Sequence, residues 1–327
     1  MNMCETSTSS SPETRSQNNI RVAICISTFR RQPLLAELLL GIANLQFHKV
    51  AHPQLSVVVV DTPSDGGSAR DLCESMSLPW PIKYVVEPRR GLTYARNSAI
   101  ATAGPVDFVA FIDDDEIPSV AWLDELLWAQ AQFAADVICG PVLARYSPEV
   151  AEWIQKGEFF NSPSRMTGTQ CKTGATHNAL VGRHVFGKVQ GFDHEYSLSG
   201  AEDTDFFLRA ARSGCKIMWS QEAVVYEYIS ARRGTVKWIV RREYQTGNGW
   251  VFCETRMNSR LLNRVVRFIK ASAHIAIGSG AVIWSSVLWN RTAVVRSLRR
   301  ISLGAGMLSA LVGHRFLAYR TSRILSS

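Results

Sequence analysis

The 327-residue sequence lacks the glycine-rich motifs that hold nucleotide phosphates in many proteins. It contains neither a GxxxxGKS or GxxxxGKT loop nor a GxGxxG turn, so the two usual backbone cradles for a phosphate group are excluded. The phosphates of any bound nucleotide would have to be neutralised by a metal ion or by arginine side chains instead.

The C-terminal part of the chain lacks acidic residues. Residues 255–327 contain twelve Lys or Arg residues and no Asp or Glu. Because the net charge of the whole chain is +8, the first 254 residues carry a net charge of −4. The basic excess therefore belongs to one segment of the chain.

Signs of secretion are also missing. Residues 1–19 are polar and aperiodic, and they contain no apolar run of about 7–15 residues, which a signal peptide requires. This composition predicts a disordered leader. The seven cysteines are odd in number, widely spaced and mostly set in apolar runs. They indicate buried thiols in a reducing compartment rather than disulfides or zinc ligands.

Apolar runs alternate with helical patterns in the first half of the sequence. Strands are predicted at residues 21–27, 55–60, 82–86 and 106–112, and each is followed by a segment with helical periodicity. The second and fourth runs are typical of strands buried on both faces. The sequence therefore predicts an α/β fold with a mainly parallel sheet flanked by helices.

Polar clusters follow these predicted strands at the point where each strand ends. They are Thr28, Asp61, residues 87–90 and residues 113–115. The carboxyl ends of parallel strands lie at one edge of a sheet, where ligands of α/β proteins bind. We therefore expect a ligand site that these clusters share.

Four carboxylates follow the fourth strand without a gap: Asp113, Asp114, Asp115 and Glu116. Like charges this close repel each other at the mouth of an apolar core unless a cation or hydrogen bonds compensate them. Asp113 and Asp115 would alternate along an extended backbone and address one ion, and hard oxygen ligands suit Mg²⁺ or Mn²⁺. The alternative is a solvated acidic turn before a helix with Ser119 as its N-cap.

A second acidic cluster lies further along the chain. After a predicted strand at residues 136–146, broken at its central Gly-Pro pair, come Glu202, Asp203 and Asp205. These acids fit the first turn of a helix capped by Ser199, where they interact favourably with the helix dipole. Alternatively, one of them is a general base.

Six segments, taken in order, resemble the inverting GT-A glycosyltransferases of family 2. They lie within residues 20–250 and read VAICISTFRR, VVVVD, EPRRGLTYARNSAI, FIDDDEIPSVAWL, GFDHEYSLSGAEDTDFFLRA and KWIVRREYQTG. The resemblance is strongest to bacterial enzymes that extend lipid-linked exopolysaccharide repeats, such as the succinoglycan glucosyltransferases. It implies a Rossmann-like GT-A fold and a nucleotide-diphosphate sugar donor.

The resemblance also implies roles for residues at the sheet edge. Thr28 and Asp61 match contacts to the nucleotide base and ribose, and Arg96 matches a basic residue near the nucleotide. Asp113 and Asp115 match the outer acids of a DxD-like motif. Asp115 would be the metal ligand that bridges to the diphosphate, supported by Asp113.

Further roles follow from the same resemblance. Asp203 matches the catalytic base, and Asp114 adds a third acid to the donor site. Arg241 and Arg242 resemble an element that clamps the diphosphate, although the family's QxxRW form is absent; a solvated or lipid-facing basic surface is the alternative. A second acid that contacts the base would be Asp65, or it is absent.

The implied chemistry is an inverting transfer. An acceptor hydroxyl attacks the anomeric carbon while a diphosphate leaves, so one group must remove a proton and another must stabilise negative charge. Asp203 would do the first, and Asp115 with Mg²⁺ or Mn²⁺ the second. The expected enzyme moves a sugar, UDP-linked in our expectation, to a lipid-linked saccharide in cell-surface polysaccharide synthesis. A polyprenyl-phosphate glycosyltransferase and a non-catalytic, nucleotide-binding membrane scaffold stay open as alternatives.

The basic segment predicts association with a membrane. The expected division of the chain is a leader (1–19), a glycosyltransferase domain (20–254) and a helical tail (255–327). In the tail, residues 271–290 and 301–314 lack Asp, Glu, Lys and Arg, and the first is long enough to cross a bilayer. If both crossed, the four arginines of residues 291–300 would lie opposite the catalytic domain, against the positive-inside tendency. We therefore expect helices in the cytoplasmic leaflet of the plasma membrane, with Trp284 and Trp289 at the interface, rather than nucleic-acid binding.

Overall fold

The computed structural model describes residues 20–62 and 69–319, so the predicted leader and Asp65 lie outside the described residues. The strands are β1 (Arg21–Thr28), β2 (Gln54–Asp61), β3 (Ile82–Val86), β4 (Phe108–Ile112), β5 (Glu116–Pro118), β6 (Val137–Cys139), β7 (Val142–Tyr146), β8 (Asn178–Gly182), β9 (Ile217–Trp219) and β10 (Val225–Ile229). The helices are α1 (Gln32–Ala43), α2 (Arg70–Ser75), α3 (Leu92–Ala103), α4 (Trp122–Phe133), α5 (Glu152–Lys156), α6 (Arg183–Val189), α7 (Glu202–Arg212), α8 (Val236–Met257), α9 (Leu261–Val287) and α10 (Arg291–Leu311).

Seven of these strands form one sheet in the order β3-β2-β1-β4-β8-β6-β9. In this sheet β8 is antiparallel to its neighbours β4 and β6, and the other pairs are parallel. A smaller sheet has the order β5-β10-β7. The predicted α/β fold with a mainly parallel sheet is confirmed.

The strand order reverses beside β1. From β1 the chain moves outward through β2 to β3 and then returns to β4, which pairs with the other side of β1. Such a reversal leaves a crevice beyond the carboxyl ends of the two strands, where α/β proteins bind ligands. Thr28 ends β1 and Asp113 follows β4, so two predicted site residues border this crevice.

The large sheet is buried on both faces, which explains its uninterrupted apolar runs. Side chains alternate between faces along a strand: Val22 and Ile24 of β1 pack with α1 and α4, whereas Ala23 and Cys25 pack with α3, α6 and α7. The described cysteines, Cys25 among them, are buried free thiols, as predicted. An apolar layer on each face therefore holds the large sheet in place, and with it the strand ends that form the site.

The segment predicted as one strand at residues 136–146 is broken at Gly140 and Pro141, as expected. Its halves join different sheets, because β6 pairs with β8 and β9 whereas β7 pairs with β10. A Cβ at Gly140 would lie 2.2 Å from the carbonyl oxygen of Ala223. Only glycine therefore allows this close crossing between the two sheets.

Two predicted helix caps are wrong. Ser119 lies three residues before α4, and its N–H donates to Val224 O (2.9 Å), because the preceding residues pair with β10 as β5. Ser199 lies before the N-cap position of α7, which Ala201 occupies. The Ser199 hydroxyl donates to Tyr196 O (3.0 Å) and accepts from Ala201 N (3.3 Å). In both cases the serine stabilises the preceding segment rather than the helix.

Three long helices follow the sheets, and α10 packs against both α8 and α9. Residues 291–300, which separate the two uncharged runs, lie in α10, and the side chain of Asn290 caps this helix by accepting from Ala293 N (2.9 Å). The boundary predicted at residue 254 falls inside α8. Among the described residues, α9 is long and apolar enough to cross a membrane. An 18-residue stretch of this helix has a mean hydropathy of 1.2, and 11% of that stretch is buried.

Close packing of α8 on α10 depends on glycine. A Cβ at Gly306 would lie 2.1 Å from the carbonyl oxygen of Tyr244, and one at Gly247 would lie 2.2 Å from that of Leu303. Gly280 on α9 has no atom within 4 Å of the equivalent position. The two helix backbones therefore touch at Gly247 and Gly306, while Gly280 faces open space.

We predict that Gly306→Ala destabilises the fold by about 1–3 kcal/mol, because the added methyl group separates α8 from α10. Gly280→Ala is the matched control and is expected to be neutral or stabilising by up to about 1 kcal/mol, since alanine favours a helix. Urea unfolding of both variants measures the difference. Equal midpoints for the two variants would contradict the close contact.

Candidate active site

A cavity of about 330 Å³ opens beyond the carboxyl ends of β1 and β4. Its walls come from the end of β1, the start of α3, the turn after β4 and a residue near the C-terminus. The lining residues are Ser27, Thr28, Phe29, Arg31, Thr62, Arg90, Gly91, Leu92, Ala95, Asp113, Asp114, Asp115 and Tyr319. Four predicted site residues, Thr28 and the three consecutive aspartates, therefore face one space.

The acidic segment after β4 is a turn. The backbone N–H of Glu116 donates to the carbonyl oxygen of Asp113 (3.2 Å). The expected alternation of Asp113 and Asp115 along an extended backbone is therefore wrong, because the chain turns here to bring Glu116 into β5. The three aspartates of this turn have different partners, so they do not share one role.

Asp114 is the anchored member of the turn. Its side chain is buried, and it accepts hydrogen bonds from the Thr28 hydroxyl (2.9 Å) and from Arg31 Nη1 (2.8 Å). Burial raises the pKa of Asp114, and Arg31 and Thr28 oppose this rise. The middle acid therefore ties the turn to the end of β1 and holds Thr28 in place.

Asp115 lies between two arginines. Its Oδ2 atom is 3.1 Å from Arg31 Nη1 and 3.1 Å from Arg233 Nη1, and Arg233 also donates to Glu227 (2.5 Å). Burial raises the pKa of Asp115 from 3.8 to about 6, and Arg31 opposes this rise. The two guanidinium groups thus supply the positive charge that a carboxylate in this position requires.

Asp113 is the most exposed acid of the turn, with 42% of its side chain accessible. Its carboxylate lies 3.6 Å from Arg96 Nη2, and its N–H donates to the buried Glu116 (2.9 Å). Burial, together with Asp113, raises the pKa of Glu116 well above its ordinary value. Asp113 is therefore the acid of this turn that is most open to a ligand.

Arg96 joins the two acidic clusters. Its Nη1 atom lies 2.5 Å from Glu202 Oε1, and both side chains are buried. Its Nη2 atom faces Asp113 on the other side. Burial raises the pKa of Glu202, and Arg96 opposes this rise. The first turn of α7 and the turn after β4 are thus connected through one guanidinium group.

Asp203 follows Glu202 on α7 and is partly exposed. Its Oδ1 atom accepts a hydrogen bond from the backbone N–H of Thr204 (2.6 Å). Asp205, in contrast, is buried and bonds Arg209 (2.7 Å), which donates in turn to Gly191 O (2.9 Å). Of the acids in this cluster, Asp205 therefore serves the packing of α7, and Asp203 is the more accessible.

The remaining predicted residues lie outside the cavity wall. Asp61 is paired with Thr28 in the sheet register, but its carboxylate accepts from Ala69 N (2.8 Å) and from the Tyr84 hydroxyl (2.8 Å). Arg241 and Arg242 are exposed on α8, and the Arg241 guanidinium lies 5.5 Å from the Phe316 ring. The structure thus brings Asp61 beside the site and leaves the two arginines at its outer margin.

The sequence patterns did not predict three residues of the site: Arg31, Arg233 and Tyr319. A signal existed for the arginines, because each follows a strand end within an Arg-Arg pair, as the acids do. Tyr319 follows a helix and stands in no motif, so nothing in the sequence places it beside residues 113–115.

The carboxylates suit a divalent cation. Within residues 20–62 and 69–319, no group of three or more His, Cys, Asp or Glu side chains is arranged to hold a metal alone. Asp113 and Asp115 offer hard oxygen atoms at the cavity, and a Mg²⁺ or Mn²⁺ site commonly takes its remaining ligands from phosphates and water. The residues present therefore fit a metal that is held jointly with a phosphate ligand.

The fold and the crevice are those of the α/β proteins that bind a ligand at a strand-order reversal. More narrowly, the chain belongs to glycosyltransferase family 2. The profile of Glycosyl transferase family 2 matches residues 23–189, and that of Glycosyl transferase family group 2 matches residues 108–319. The succinoglycan biosynthesis protein ExoM of Rhizobium meliloti (strain 1021) is 31% identical over 316 residues, which are 94% of this chain and 98% of that protein. The chain is thus a glycosyltransferase.

Solved structures agree with this fold. A mannosyltransferase from Pyrobaculum calidifontis, in complex with GDP-Man and Mn²⁺, has a TM-score of 0.59 and 18% identity over 90% of this chain and 88% of that one. Residues 1–349 of TarS from S. aureus, in complex with UDP-GlcNAc, have a TM-score of 0.52 and 14% identity over 90% and 93% of the two chains. The predicted GT-A fold is confirmed.

The raised pKa of Asp115 predicts a pH-dependent stability. A folded-state pKa of about 6 against an ordinary 3.8 means that ionisation opposes folding increasingly between those pH values, and fully above pH 6. In chelator-treated protein, Asp115→Asn should raise the free energy of unfolding at pH 7.5 by up to about 3 kcal/mol, and by much less at pH 4.5. Urea unfolding at the two pH values provides the measurement.

The exposed Asp71→Asn variant on α2 is the control for that comparison. It should change the free energy of unfolding equally at both pH values. A gain for Asp115→Asn that is the same at pH 4.5 as at pH 7.5, or larger, would contradict a buried carboxylate at this position.

Proposed function

We propose that the protein is a metal-dependent, inverting glycosyltransferase that moves a sugar from a nucleoside-diphosphate donor to a lipid-linked saccharide in cell-surface polysaccharide synthesis. The observation that carries this proposal is the Arg96 bridge, which fixes the Asp113 turn relative to Glu202 and Asp203. An inverting displacement needs a leaving-group site and a base on opposite sides of one carbon atom, and the two clusters supply these groups.

In this proposal Asp115 and Asp113 hold Mg²⁺ or Mn²⁺ together with the donor diphosphate. The metal, when bound, supplies charge neutralisation for the leaving diphosphate. Arg31 and Arg233, which pair with Asp115, are the arginines proposed to contact phosphate oxygens. The similar mannosyltransferase and TarS bind GDP-Man with Mn²⁺ and UDP-GlcNAc, respectively, which supports a nucleotide-sugar donor.

Thr28 and Asp61 are proposed to contact the base and ribose of the donor. Thr28 donates its hydroxyl hydrogen to Asp114, so its oxygen would accept a hydrogen bond from the ligand. Asp61 is held at the adjoining strand end by Tyr84. Arg241 and Arg242, exposed on α8, are proposed to clamp the diphosphate.

Asp203 is the proposed base. Glu202 is buried and bound to Arg96, so it is suited to orient Arg96 rather than to take a proton from a substrate. Asp203 is partly exposed beside it, and the Thr204 N–H holds one of its oxygen atoms. The proton of the acceptor hydroxyl would pass to Asp203 as the new glycosidic bond forms and the bond to the diphosphate breaks.

A membrane surface is the proposed location of the enzyme, at the cytoplasmic face of the plasma membrane. Exposed apolar side chains lie along α9 and at its C-terminal end; they include Leu261, Leu262, Phe268, Ile269, Ile283, Trp284 and Trp289. Basic residues Arg260, Arg264 and Lys270 are interspersed in its first part. An exposed apolar surface with interspersed cations suits the interface of an anionic leaflet. The 31% identity with the succinoglycan biosynthesis protein supports an acceptor in polysaccharide synthesis.

Replacing the proposed base tests the proposed reaction. Asp203→Asn should keep the affinity for a nucleotide sugar with Mn²⁺ and lower sugar transfer by about 10²–10⁴-fold, because the variant cannot accept the proton. Binding by calorimetry and transfer to a lipid-linked acceptor are the two measurements. Glu149→Gln, a surface carboxylate remote in sequence from both clusters, is the control and should retain transfer.

Near-normal turnover of Asp203→Asn would refute the assignment of the base. Near-normal turnover of this variant with a polyprenyl phosphate as acceptor would favour the alternative of a polyprenyl-phosphate glycosyltransferase, because that acceptor is already ionised.

Charge reversal on α9 tests the membrane proposal. Arg260→Glu with Lys270→Glu should lower co-flotation with vesicles that contain phosphatidylglycerol by about tenfold or more, since each basic residue near such a surface contributes about 1 kcal/mol. Lys188→Glu with Lys237→Glu makes the same change in net charge away from α9 and should float like the wild type. Equal flotation of the two double variants would contradict the role of α9.

A further inference from the structure

A short segment after α10, residues 314–319, runs back to the cavity; it is called the C-terminal strap below. Asn248 of α8 anchors its beginning with both ends of one amide. The Nδ2 atom donates to His314 O (2.8 Å), and the Oδ1 atom accepts from Phe316 N (2.9 Å). Asn248 is 1% exposed, so these two hydrogen bonds are shielded from water. They fix the path of the first residues of the strap.

Side chains hold the middle of the strap. The Phe316 ring packs against Tyr244 with a centroid distance of 5.8 Å, and the Arg315 guanidinium lies over the rings of Tyr196 (5.3 Å) and Phe252 (5.0 Å). Arg315 also donates to the carbonyl oxygen of Glu195. The strap is therefore packed against α8 and against the segment that leads to α7.

The end of the strap reaches the catalytic side of the crevice. Tyr319 N donates to Leu198 O (3.1 Å), and the Ala318 Cβ atom lies 3.4 Å from the position of a Cβ at Gly200. Residues 198–200 lead directly into Glu202 and Asp203. The strap thus ends on the loop that carries the proposed base, and the Tyr319 ring forms a wall of the cavity.

The Tyr319 phenol lies within the electrostatic reach of both acidic clusters. Burial, followed by the Glu202 carboxylate, raises the pKa of Tyr319, and Asp113 acts in the same direction. The hydroxyl is therefore protonated at neutral pH and can donate a hydrogen bond. The residue is 38% exposed and lines the cavity, so it is open to a ligand there.

Tyr319 lies where the proposed reaction requires the transferred sugar. In the proposed reaction the anomeric carbon stands between the diphosphate, near Asp113 and Asp115, and the base at Asp203. Tyr319 adjoins the first group along the cavity wall and the second through residues 198–200. A phenol offers an apolar face for the C–H groups of a sugar and a hydroxyl for its oxygen atoms.

We propose that Tyr319 is a binding residue for the sugar moiety of the nucleotide-sugar donor, presented by the C-terminal strap. This inference rests on the proposed function. It assigns to a segment outside both sheets a contact with the group that is transferred, while the nucleotide is held by strand ends. Sugar selection and nucleotide binding are then separate properties of the site.

The test compares two ligands for each variant. UDP-glucose, UDP-N-acetylglucosamine and GDP-mannose are screened by calorimetry with Mn²⁺, and the one that the wild type binds most tightly is compared with its own nucleoside diphosphate. Tyr319→Ala should lower the affinity for the nucleotide sugar by about tenfold or more. Its affinity for the nucleoside diphosphate should stay within about twofold of the wild-type value. Tyr319→Phe should lower the affinity for the nucleotide sugar by about threefold to tenfold, because this variant loses only the hydroxyl group.

Tyr226→Phe is the matched control, since it removes a hydroxyl from a partly exposed ring that stacks with Arg145 (3.9 Å) outside the cavity. It should bind both ligands like the wild type. Thermal unfolding of each variant checks folding, and the Phe variant, which keeps the ring, protects the test against a misfolded Ala variant.

Three outcomes would overturn the inference. If the wild type binds no nucleotide sugar and no nucleoside diphosphate, the proposed function fails together with the inference. If the wild type binds both and Tyr319→Ala and Tyr319→Phe bind the nucleotide sugar unchanged, the inference alone fails. Equal weakening of both ligands in both variants also overturns it, because Tyr319 would then support the whole site rather than the sugar.

Discussion

The carboxylates of the crevice are compatible with this fold because arginines from distant parts of the chain lie beside them. Asp114 and Asp115 share Arg31, Asp115 also meets Arg233, and Arg96 joins Asp113 to Glu202. Replacing one of these arginines would leave a buried carboxylate without its cation, which is strongly destabilising. The relative positions of β1, the turn after β4, α3 and α7 therefore depend on these pairs. The same pairs place acidic and basic groups side by side in the crevice.

A second organising element is α10, which connects the exposed apolar surface of α9 with the cavity. It packs against α9 on one side and α8 on the other, and the C-terminal strap continues from it to Tyr319. The exposed apolar surface of α9 and the wall of the cavity thus belong to one continuous stretch of chain.

Most of the fold could be predicted from the sequence, because periodicity reports which faces are buried. The uninterrupted run of β2 and the four polar strand ends led to a parallel sheet with a site at one edge. The conformation of the acidic turn was not predictable, since it depends on β5 pairing with the distant β10. Arg233 comes to Asp115 through the same pairing, and Tyr319 arrives through tertiary packing of three helices. Local patterns contain no information about such long-range contacts. All the roles predicted for individual site residues, including those of Asp113, Asp115 and Asp203, stay predictions.

The C-terminal strap has a consequence for the order in which the protein matures. Proteins fold from the N-terminus as they leave the ribosome, and both sheets are complete once residue 229 has been made. At that stage the crevice has its acids, Arg31 and Arg96 but lacks Arg233, α8, α10 and Tyr319. A partly synthesised chain would therefore possess the proposed nucleotide site before the wall proposed to contact the sugar. Under the proposed function, competence for transfer would follow the synthesis of α9, the helix proposed to lie at the membrane.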